Sequence, residues 1–335
     1  MKSHHPESVF RARLEQCNNN PRCLYCRNSG KNEADKSLTL EQEYRIIDQM
    51  KEMGAGNLIY TGGEPLLDHD LPDLVNYACS RGIKVTIATN GKLLTKEFLS
   101  GIDKDKVKIQ VSLDSIYKEI NDTLRGYGSY DAAIRALDLC KEYGVKSQTS
   151  ITITKMNLGS IPDTIENAKS NGSLVKLRQM VPIGMGEFQR ELMVDDTELN
   201  DLIMKYVINP EYKGLVDIEQ VPYFLKDNPE AAKVCSAGSS ILYIEPDGNV
   251  KICPSAKHSV GNVKDKPLNE IYEGMNRFRG EGHNDSGFCG RPDVLSVGDV
   301  EKSTQPTHVP ESYTTLSREP MSTEVFDRIG CKCTG

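Results

Sequence analysis

The chain has no long hydrophobic run, no run of basic residues and no apolar segment near its N-terminus. A membrane-spanning helix takes about 18 or more consecutive apolar residues, and no stretch of the sequence approaches that length. The net charge is −7 and no cluster of Lys or Arg stands out, so we expect neither a nucleic acid nor a membrane as a partner. The opening residues, MKSHHPESVFRARLEQ, lack the apolar region of a signal peptide. We therefore expect a cytoplasmic protein.

That location changes how the ten cysteines are interpreted. In a reducing compartment, clustered cysteines bind metals or carry redox chemistry more often than they form disulfides. Eight of the ten fall into two terminal groups, which are Cys17, Cys23 and Cys26 at the front and Cys235, Cys253, Cys289, Cys331 and Cys333 at the back. Cys79 and Cys140 stand alone in predicted helices, and we expect them to be small buried hydrophobic residues.

Between the two cysteine groups, short β-rich runs alternate with helical patterns. The predicted strands are Val9–Glu15, Asn57–Thr61, Lys84–Thr89, Val107–Leu113, Lys146–Thr154 and Leu174–Met180. The predicted helices are one between Thr39 and Gly54, then Leu71–Arg81, Thr95–Ile102, Tyr130–Tyr143 and Ile161–Ser170. This alternation predicts an α/β fold with a parallel sheet, either doubly wound or an open βα barrel. In such sheets, ligands bind at the carboxyl ends of the strands.

The pattern changes beyond Gly184. Thr197–Val207 has a helical pattern, and Leu268–Glu273 predicts one short helix. Ile241–Glu245 and Asn249–Pro254 flank a Pro-Asp-Gly sequence, which is typical of a β-hairpin. From residue 280 onward the chain is rich in Gly, Ser, Thr and Pro, and we expect its order to depend on metal binding by its cysteines.

The front cysteines lie on a loop after the first predicted strand, in the sequence Cys17-Asn-Asn-Asn-Pro-Arg-Cys23-Leu-Tyr-Cys26. Three thiolates so close together can hold three irons of a [4Fe–4S] cube and leave the fourth iron open for chemistry. A structural zinc site is the alternative, although zinc prefers four closed ligands and no fourth ligand is nearby.

Polar residues follow the next strands of the predicted sheet. The second strand runs into Gly62-Gly63-Glu64-Pro65, the third ends at Asn90, and the fourth ends in Ser112-Leu-Asp, with Arg125 further on. Two glycines let the backbone approach a ligand closely, and a carboxylate beside them can accept hydrogen bonds from an ammonium group. These strand ends predict a cofactor site.

The three-cysteine loop, the Gly-Gly-Glu-Pro motif and the Ser-Leu-Asp motif together resemble the radical S-adenosylmethionine (SAM) superfamily over roughly residues 8–185. The resemblance implies a partial (β/α)6 TIM-like barrel whose open iron binds the amino and carboxylate groups of SAM. Reduction of the cluster then cleaves SAM to methionine and a 5′-deoxyadenosyl radical, which abstracts a substrate hydrogen. The spacing C-x5-C-x2-C departs from the usual C-x3-C-x2-C, but two extra loop residues cost little closure entropy.

The same resemblance implies roles for individual residues. The cluster ligands would be Cys17, Cys23 and Cys26. Tyr25 would lie by the adenine of SAM, and Gly62, Gly63 and Glu64 would meet its amino group. Ser112 and Arg125 would lie near the ribose and the carboxylate. Asn90, at the end of the third strand, would complete the SAM-binding set.

The back group begins as C-x12-G-x4-C, formed by Cys235, Gly248 and Cys253. This is similar to the start of the twitch and SPASM extensions of radical SAM enzymes, which carry auxiliary [4Fe–4S] clusters. Only three cysteines follow instead of the five of the full SPASM pattern, so we expect one auxiliary cluster and a spare thiol. We expect Cys331 and Cys333 to complete the ligands and Cys289 to be a hydrogen donor. The alternatives are that Cys289 is itself a ligand, or that a zinc ion closes this region.

These expectations divide the chain into a barrel core at 1–185, a connecting helical segment at 186–234, and a hairpin-plus-helix auxiliary cluster domain at 235–335. The sixteen residues before the first cysteine are too few for the peptide-leader domain of many SPASM enzymes. The resemblance therefore implies a small-molecule or short-peptide substrate that is oxidised, epimerised or cross-linked. A reducing partner such as flavodoxin or ferredoxin would supply the electron.

Two other functions compete with this interpretation. Arg125-Gly126-Tyr127 and Leu177-Arg178 are similar to the GTP cyclase of molybdopterin synthesis, but that family ends in Gly-Gly and has a C-x2-C-x13-C second site where this chain has C-x17-C. A non-catalytic iron–sulfur electron-transfer protein or zinc protein is the other alternative, and it would not need the Gly-Gly-Glu-Pro motif.

Overall fold

The structure is a computed structural model that describes residues 5–28, 37–219, 238, 240–256 and 258–275. These residues all belong to the compact unit Met1–Gly290, and residues 291–335 lie outside the described ranges. No helix in the described part of the chain is long and apolar enough to cross a membrane.

Strands and helices alternate through most of these ranges. The strands are β1 (Ser8–Leu14), β2 (Asn57–Gly62), β3 (Lys84–Thr89), β4 (Val107–Ser112), β5 (Lys146–Ile153), β6 (Leu174–Gln179), β7 (Val216–Glu219), β8 (Ile241–Ile244), β9 (Asn249–Lys251) and β10 (Gly261–Asn262). The α-helices are α1 (Leu40–Met53), α2 (Leu71–Ser80), α3 (Lys96–Ser100), α4 (Lys118–Arg125), α5 (Ser129–Tyr143), α6 (Ile161–Ser170), α7 (Asp196–Leu202) and α8 (Leu268–Gly274).

The strands form one sheet in the order β10-β9-β8-β1-β2-β3-β4-β5-β6-β7. From β1 to β7 every neighbouring pair is parallel, and β8 lies parallel to β1 on its other side. Strands β9 and β10 extend this edge in antiparallel pairs. The sheet confirms the predicted α/β class and is the arrangement expected of a partial TIM-like barrel with added C-terminal strands.

Three features differ from the sequence-based expectations. Helix α4 was not predicted, because its eight residues include only two buried apolar side chains, Ile120 and Leu124. The segment 186–234, expected to be helical, also supplies β7, whose four residues are too few to give a clear alternating pattern. The pairing of the hairpin strand β8 with β1, with Ser8 opposite Ile241, was not part of the prediction.

The hydrophobic core lies between the sheet and its helices. At one end it consists of alternate residues of β5, β6 and β7, such as Ile151, Leu177 and Ile218, packed against residues of α6 and the α7 region, such as Ile165 and Leu199. Successive residues of a strand point to opposite faces of the sheet. The residues that alternate with these core residues therefore lie on the other face, which we call the concave face. Cys79 and Cys140 are buried in the helical layer, as predicted.

A buried charge cluster joins β1 to α1 and to the hairpin. Arg11 Nε donates to the two carboxylate oxygens of Glu43 over 3.1 and 3.0 Å, and Arg13 Nη1 donates to the same carboxylate over 2.8 Å. The Arg11 guanidinium also donates to the backbone oxygens of Ile244 and Glu245 at the end of β8. Burial alone would raise the pKa of Glu43, but the two arginines outweigh it and hold that pKa below its usual range.

We expect Glu43→Ala to destabilise the protein by about 3–5 kcal/mol, because it leaves the buried Arg11 and Arg13 without their shared counterion. Urea unfolding measures this loss. The matched control is Glu41→Ala on the same helix, where the carboxylate is exposed and meets Arg45 only at 3.6 Å; its effect should stay within about 0.5 kcal/mol. Equal effects of the two variants would contradict the role given to Glu43.

Candidate active site

The front cysteines lie on the loop that follows β1, here called the cysteine loop (residues 15–28). The loops after β2 and β6 and the end of α4 hold it through the backbone. Glu64 N donates to Gln16 O over 2.7 Å, Leu24 N donates to Leu124 O over 2.9 Å, and Met185 N donates to Cys26 O over 2.8 Å. The loop is therefore fixed at the carboxyl edge of the sheet from three sides.

Glycine is required where these loops meet the cysteine loop. A Cβ added to Gly63 would lie 1.8 Å from Gln16 O, one on Gly126 would lie 2.3 Å from Pro21 O, and one on Gly184 would lie 2.4 Å from Arg27 O. All three distances are far below a van der Waals contact. A Cβ added to Gly62 would lie 2.5 Å from Leu14 O, so both glycines also admit the chain that leads into the cysteine loop. The expectation that Gly62 and Gly63 let the backbone approach a ligand stays a prediction.

The three thiols of the cysteine loop are free and partly exposed. Burial raises the pKa of Cys17, and it raises the pKa of Cys26 to about 11, with the neighbouring Cys23 adding to both shifts. Iron binding replaces the thiol proton. In the described ranges, no group of three His, Cys, Asp or Glu side chains is close enough together to bind one metal ion. A [4Fe–4S] cluster needs less convergence, because each thiolate binds a different iron.

The surroundings of the thiols also fit a polar group bound at this edge. Asn19 Oδ1 and Arg125 Nε are buried and have no hydrogen-bond partner among the described residues. Asn19 Nδ2 is 3.5 Å from Cys23 Sγ, and Arg125 O is 4.0 Å from the same sulfur. Three free thiols with unsatisfied polar atoms beside them suit a cluster that also carries a polar ligand.

Glu64 is buried at the end of β2 and has three hydrogen-bond donors. Its Oε1 accepts from Thr89 Oγ1 over 2.6 Å and from Leu66 N over 3.1 Å, and its Oε2 accepts from Asn90 N over 2.8 Å. An ionised carboxylate offers about four acceptor positions, so one remains, on Oε2. Burial raises the pKa of Glu64 despite these donors, which means that an added cation would stabilise its charged form.

Asn90 connects Glu64 to the cysteine loop. Its side-chain Nδ2 donates to Asn18 Oδ1 over 2.7 Å and lies 3.9 Å from Cys17 Sγ. The structure thus brings together Asn90, Glu64 and Cys17, which the sequence predicted only as separate members of one site. Ser112 ends β4 and is partly exposed.

Asp114 is the site residue that the predicted set omitted. It is fully buried, and its Oδ2 accepts from Tyr25 OH and, over 3.1 Å, from Arg125 Nη1. Its Oδ1 accepts from Thr152 N over 2.8 Å. Asp114 therefore holds Tyr25 and Arg125 together at the end of β4. The Ser-Leu-Asp motif contained this residue, but sequence gave no sign that its carboxylate is the centre of the contacts.

Of the back group, only Cys253 lies in the described ranges; Cys235, Cys289, Cys331 and Cys333 lie outside them. Cys253 is buried just after β9. Arg27, next to Cys26, donates from Nη1 to Ser255 Oγ over 3.3 Å. The segment after Cys253 is thus in contact with the cysteine loop.

Three thiols on one loop at the carboxyl edge of a parallel α/β sheet are the arrangement expected of a radical SAM enzyme. Comparisons with known proteins lead to the same class. The model of the Radical SAM superfamily matches residues 14–168, and that of the SPASM iron–sulfur cluster-binding domain matches residues 235–291. The chain belongs to the radical SAM superfamily, in its SPASM-containing branch.

Individual relatives are similar over most of their length. A Fe-coproporphyrin III synthase of Methanosarcina barkeri is 32% identical over 76% of this chain and 70% of its own. Mycofactocin maturase MftC of Mycolicibacterium smegmatis is 27% identical over 77% of this chain and 68% of its own. The fold is similar to Streptococcus suis SuiB bound to S-adenosylmethionine, with a TM-score of 0.68 at 18% identity, over 83% of this chain and 69% of that one.

We expect Glu64→Ala to weaken SAM binding by roughly ten- to a hundredfold, because a charge-assisted hydrogen bond is worth about 1.5–3 kcal/mol. Calorimetric titration of SAM into the iron-loaded protein measures the dissociation constant. Iron content should be unchanged, and Glu52→Ala, an exposed carboxylate on α1, should leave SAM binding unaltered. An unchanged dissociation constant in Glu64→Ala would remove this residue from the SAM site.

Proposed function

We propose that this radical SAM enzyme abstracts a hydrogen atom from a small molecule or short peptide, which is then oxidised, epimerised or cross-linked. The observation that carries the proposal is the cysteine loop, whose three free thiols lie at the carboxyl edge of a parallel sheet. Among similar proteins, one is named Fe-coproporphyrin III synthase, and SuiB has a structure with the precursor peptide SuiA. These names support both substrate classes.

Cys17, Cys23 and Cys26 would hold a [4Fe–4S] cluster. When bound, this cluster would supply the electron for the reductive cleavage of SAM. The thiols are partly exposed, which supports electron delivery by a separate reducing protein such as flavodoxin or ferredoxin.

The chain's own side chains would orient SAM. Glu64 has one acceptor position left for the ammonium group, and its other three are occupied by groups of β3 and the adjacent turn. Arg125 is held by Asp114 and can place its positive charge toward the SAM carboxylate. Tyr25, held by the same aspartate, would lie by the adenine, and Ser112 would lie near the ribose. Gly62 and Gly63 would set this geometry by admitting the cysteine loop.

The auxiliary region would bind a second [4Fe–4S] cluster. Cys235 and Cys253 are the proposed ligands from the hairpin, and the contact of Arg27 with Ser255 supports a position near the first cluster. The SPASM match extends to residue 291 and so includes Cys289 but neither Cys331 nor Cys333. That extent supports Cys289 as a ligand and weakens its role as a hydrogen donor. The division into regions 1–185, 186–234 and 235–335 remains part of this proposal.

Replacement of Cys17, Cys23 and Cys26 by Ala should abolish SAM cleavage, because the open iron is lost with its three ligands. Anaerobic protein, reconstituted with iron and sulfide and given dithionite, is assayed for 5′-deoxyadenosine. Cys79→Ala is the matched control, since this cysteine is buried in α2 and is not part of the cysteine loop, and it should keep the activity. Production of 5′-deoxyadenosine by the triple variant would refute the assignment.

Iron content of single variants separates the two roles of Cys289. The unaltered protein should hold about eight irons in two cubes, and the triple variant about four. If Cys289 is a ligand, Cys289→Ala loses about four irons. If it is the hydrogen donor, the variant keeps both clusters, and either Cys331→Ala or Cys333→Ala loses the iron instead.

A further inference from the structure

The segment 18–22, which joins the first two cysteines of the cysteine loop, is two residues longer than the usual spacing. Neighbouring loops hold it at two points. Near its start, Asn18 Oδ1 accepts from Asn90 Nδ2 over 2.7 Å. Near its end, Pro21 O lies 2.3 Å from the position that a Cβ on Gly126 would take. The residues between these two contacts are therefore fixed relative to the sheet.

Asn19 lies between the two contacts and places its side-chain amide beside a thiol. The residue is buried, with 6% of its surface exposed, whereas its neighbour Asn20 is exposed. Asn19 Nδ2 donates to Cys23 Sγ over 3.5 Å. Another polar atom near this sulfur is the carbonyl oxygen of Arg125, at 4.0 Å, and a carbonyl cannot donate. Among the described residues, Asn19 is thus the side-chain donor to Cys23.

The only other side-chain amide that the described ranges place near a thiol of this loop is that of Asn90. Its Nδ2 lies 3.9 Å from Cys17 Sγ, which is a longer contact than that of Asn19 with Cys23. The same nitrogen makes its short hydrogen bond with Asn18 Oδ1. Asn19 is therefore the better placed of the two donors.

Stabilisation of the free thiol does not account for the position of Asn19. A neutral thiol is a weak acceptor, and Asn19 Oδ1 is buried without a hydrogen-bond partner among the described residues, which costs stability. A thiolate bound to iron is a charged acceptor, and hydrogen bonds to charged groups are about twice as strong as neutral ones. The amide therefore contributes more to an iron-bound sulfur than to a free thiol.

We propose that the Asn19 amide donates a hydrogen bond to the Cys23 thiolate of the bound cluster and so raises the reduction potential of that cluster. The inference rests on the proposed function, in which Cys23 is a cluster ligand. One electron from the external reducing protein makes the cluster sulfurs more negative, and the amide keeps its proton. A donor then stabilises the reduced form more than the oxidised form, and hydrogen bonds to the sulfurs are among the factors that set such potentials.

We expect Asn19→Leu, which removes the donor and keeps a similar volume, to make reduction of this cluster about tenfold less favourable. The extra strength of a hydrogen bond to a charged acceptor corresponds to about this factor in an equilibrium constant. For a one-electron couple the factor lowers the midpoint potential by about 59 mV. Asn19→Ala, which removes the donor without filling its space, is the second variant and should shift the potential in the same direction.

Potentiometric titration followed by electron paramagnetic resonance measures the midpoint potential of the full chain after anaerobic reconstitution. The signal of this cluster is the one that the triple variant of Cys17, Cys23 and Cys26 lacks, which distinguishes it from the auxiliary cluster. Asn20→Leu is the matched control, because it removes the neighbouring amide, which is exposed; its potential should equal that of the unaltered protein. Iron content should be unchanged in all three single variants.

An unchanged potential in both Asn19 variants at full iron content, or an equal shift in Asn20→Leu, would overturn the inference. Loss of iron from both Asn19 variants would also overturn it, because Asn19 would then serve only to hold the loop. Survival of every resonance signal in the triple variant would instead refute the proposed function, since Cys23 would not hold a cluster.

Discussion

The site depends on the close backbone packing of the cysteine loop against three glycines. Gly63, Gly126 and Gly184 come from the ends of β2, α4 and β6, and each meets a different part of the loop. No larger residue could occupy these positions without moving the loop, because a Cβ would overlap a carbonyl oxygen. The longer segment between Cys17 and Cys23 is therefore packed against the rest of the protein, since Pro21 is in contact with Gly126. The three glycine contacts fix the cysteine loop, and with it the thiols, relative to the sheet.

The same packing places two buried carboxylates in different electrostatic surroundings. Asp114 has a cation of its own in Arg125, at 3.1 Å. Glu64 receives only neutral donors, and burial raises its pKa. A ligand that carries both an ammonium and a carboxylate, as an amino acid does, would complement this pair if its cation met Glu64 and its anion met Arg125, as proposed for SAM. In that proposal, the opposite charges of Glu64 and Arg125 would favour one orientation of the bound ligand.

Much of the barrel could be predicted from sequence because its strands and helices have strong local patterns. All six predicted strands occur within a residue of their observed ends. Helix α4 and strand β7 were missed because each is short and buries few apolar residues. The pairing of β8 with β1 depends on contacts between residues more than 200 positions apart, such as Arg11 with Ile244, which no local pattern contains. The central place of Asp114 was missed for the same reason.

The charged residues on the two faces of the sheet lie in different surroundings. On the helical side, Arg11 and Arg13 are nearly inaccessible, and each is matched by a carboxylate within hydrogen-bond distance. On the concave side, Lys176 Nζ is 2.8 Å from Asp217 Oδ2, and burial and Lys176 lower the pKa of Lys108 although Asp217 opposes that shift. The helices cover the helical face, so the charges of Arg11 and Arg13 there must be compensated by carboxylates of the chain itself.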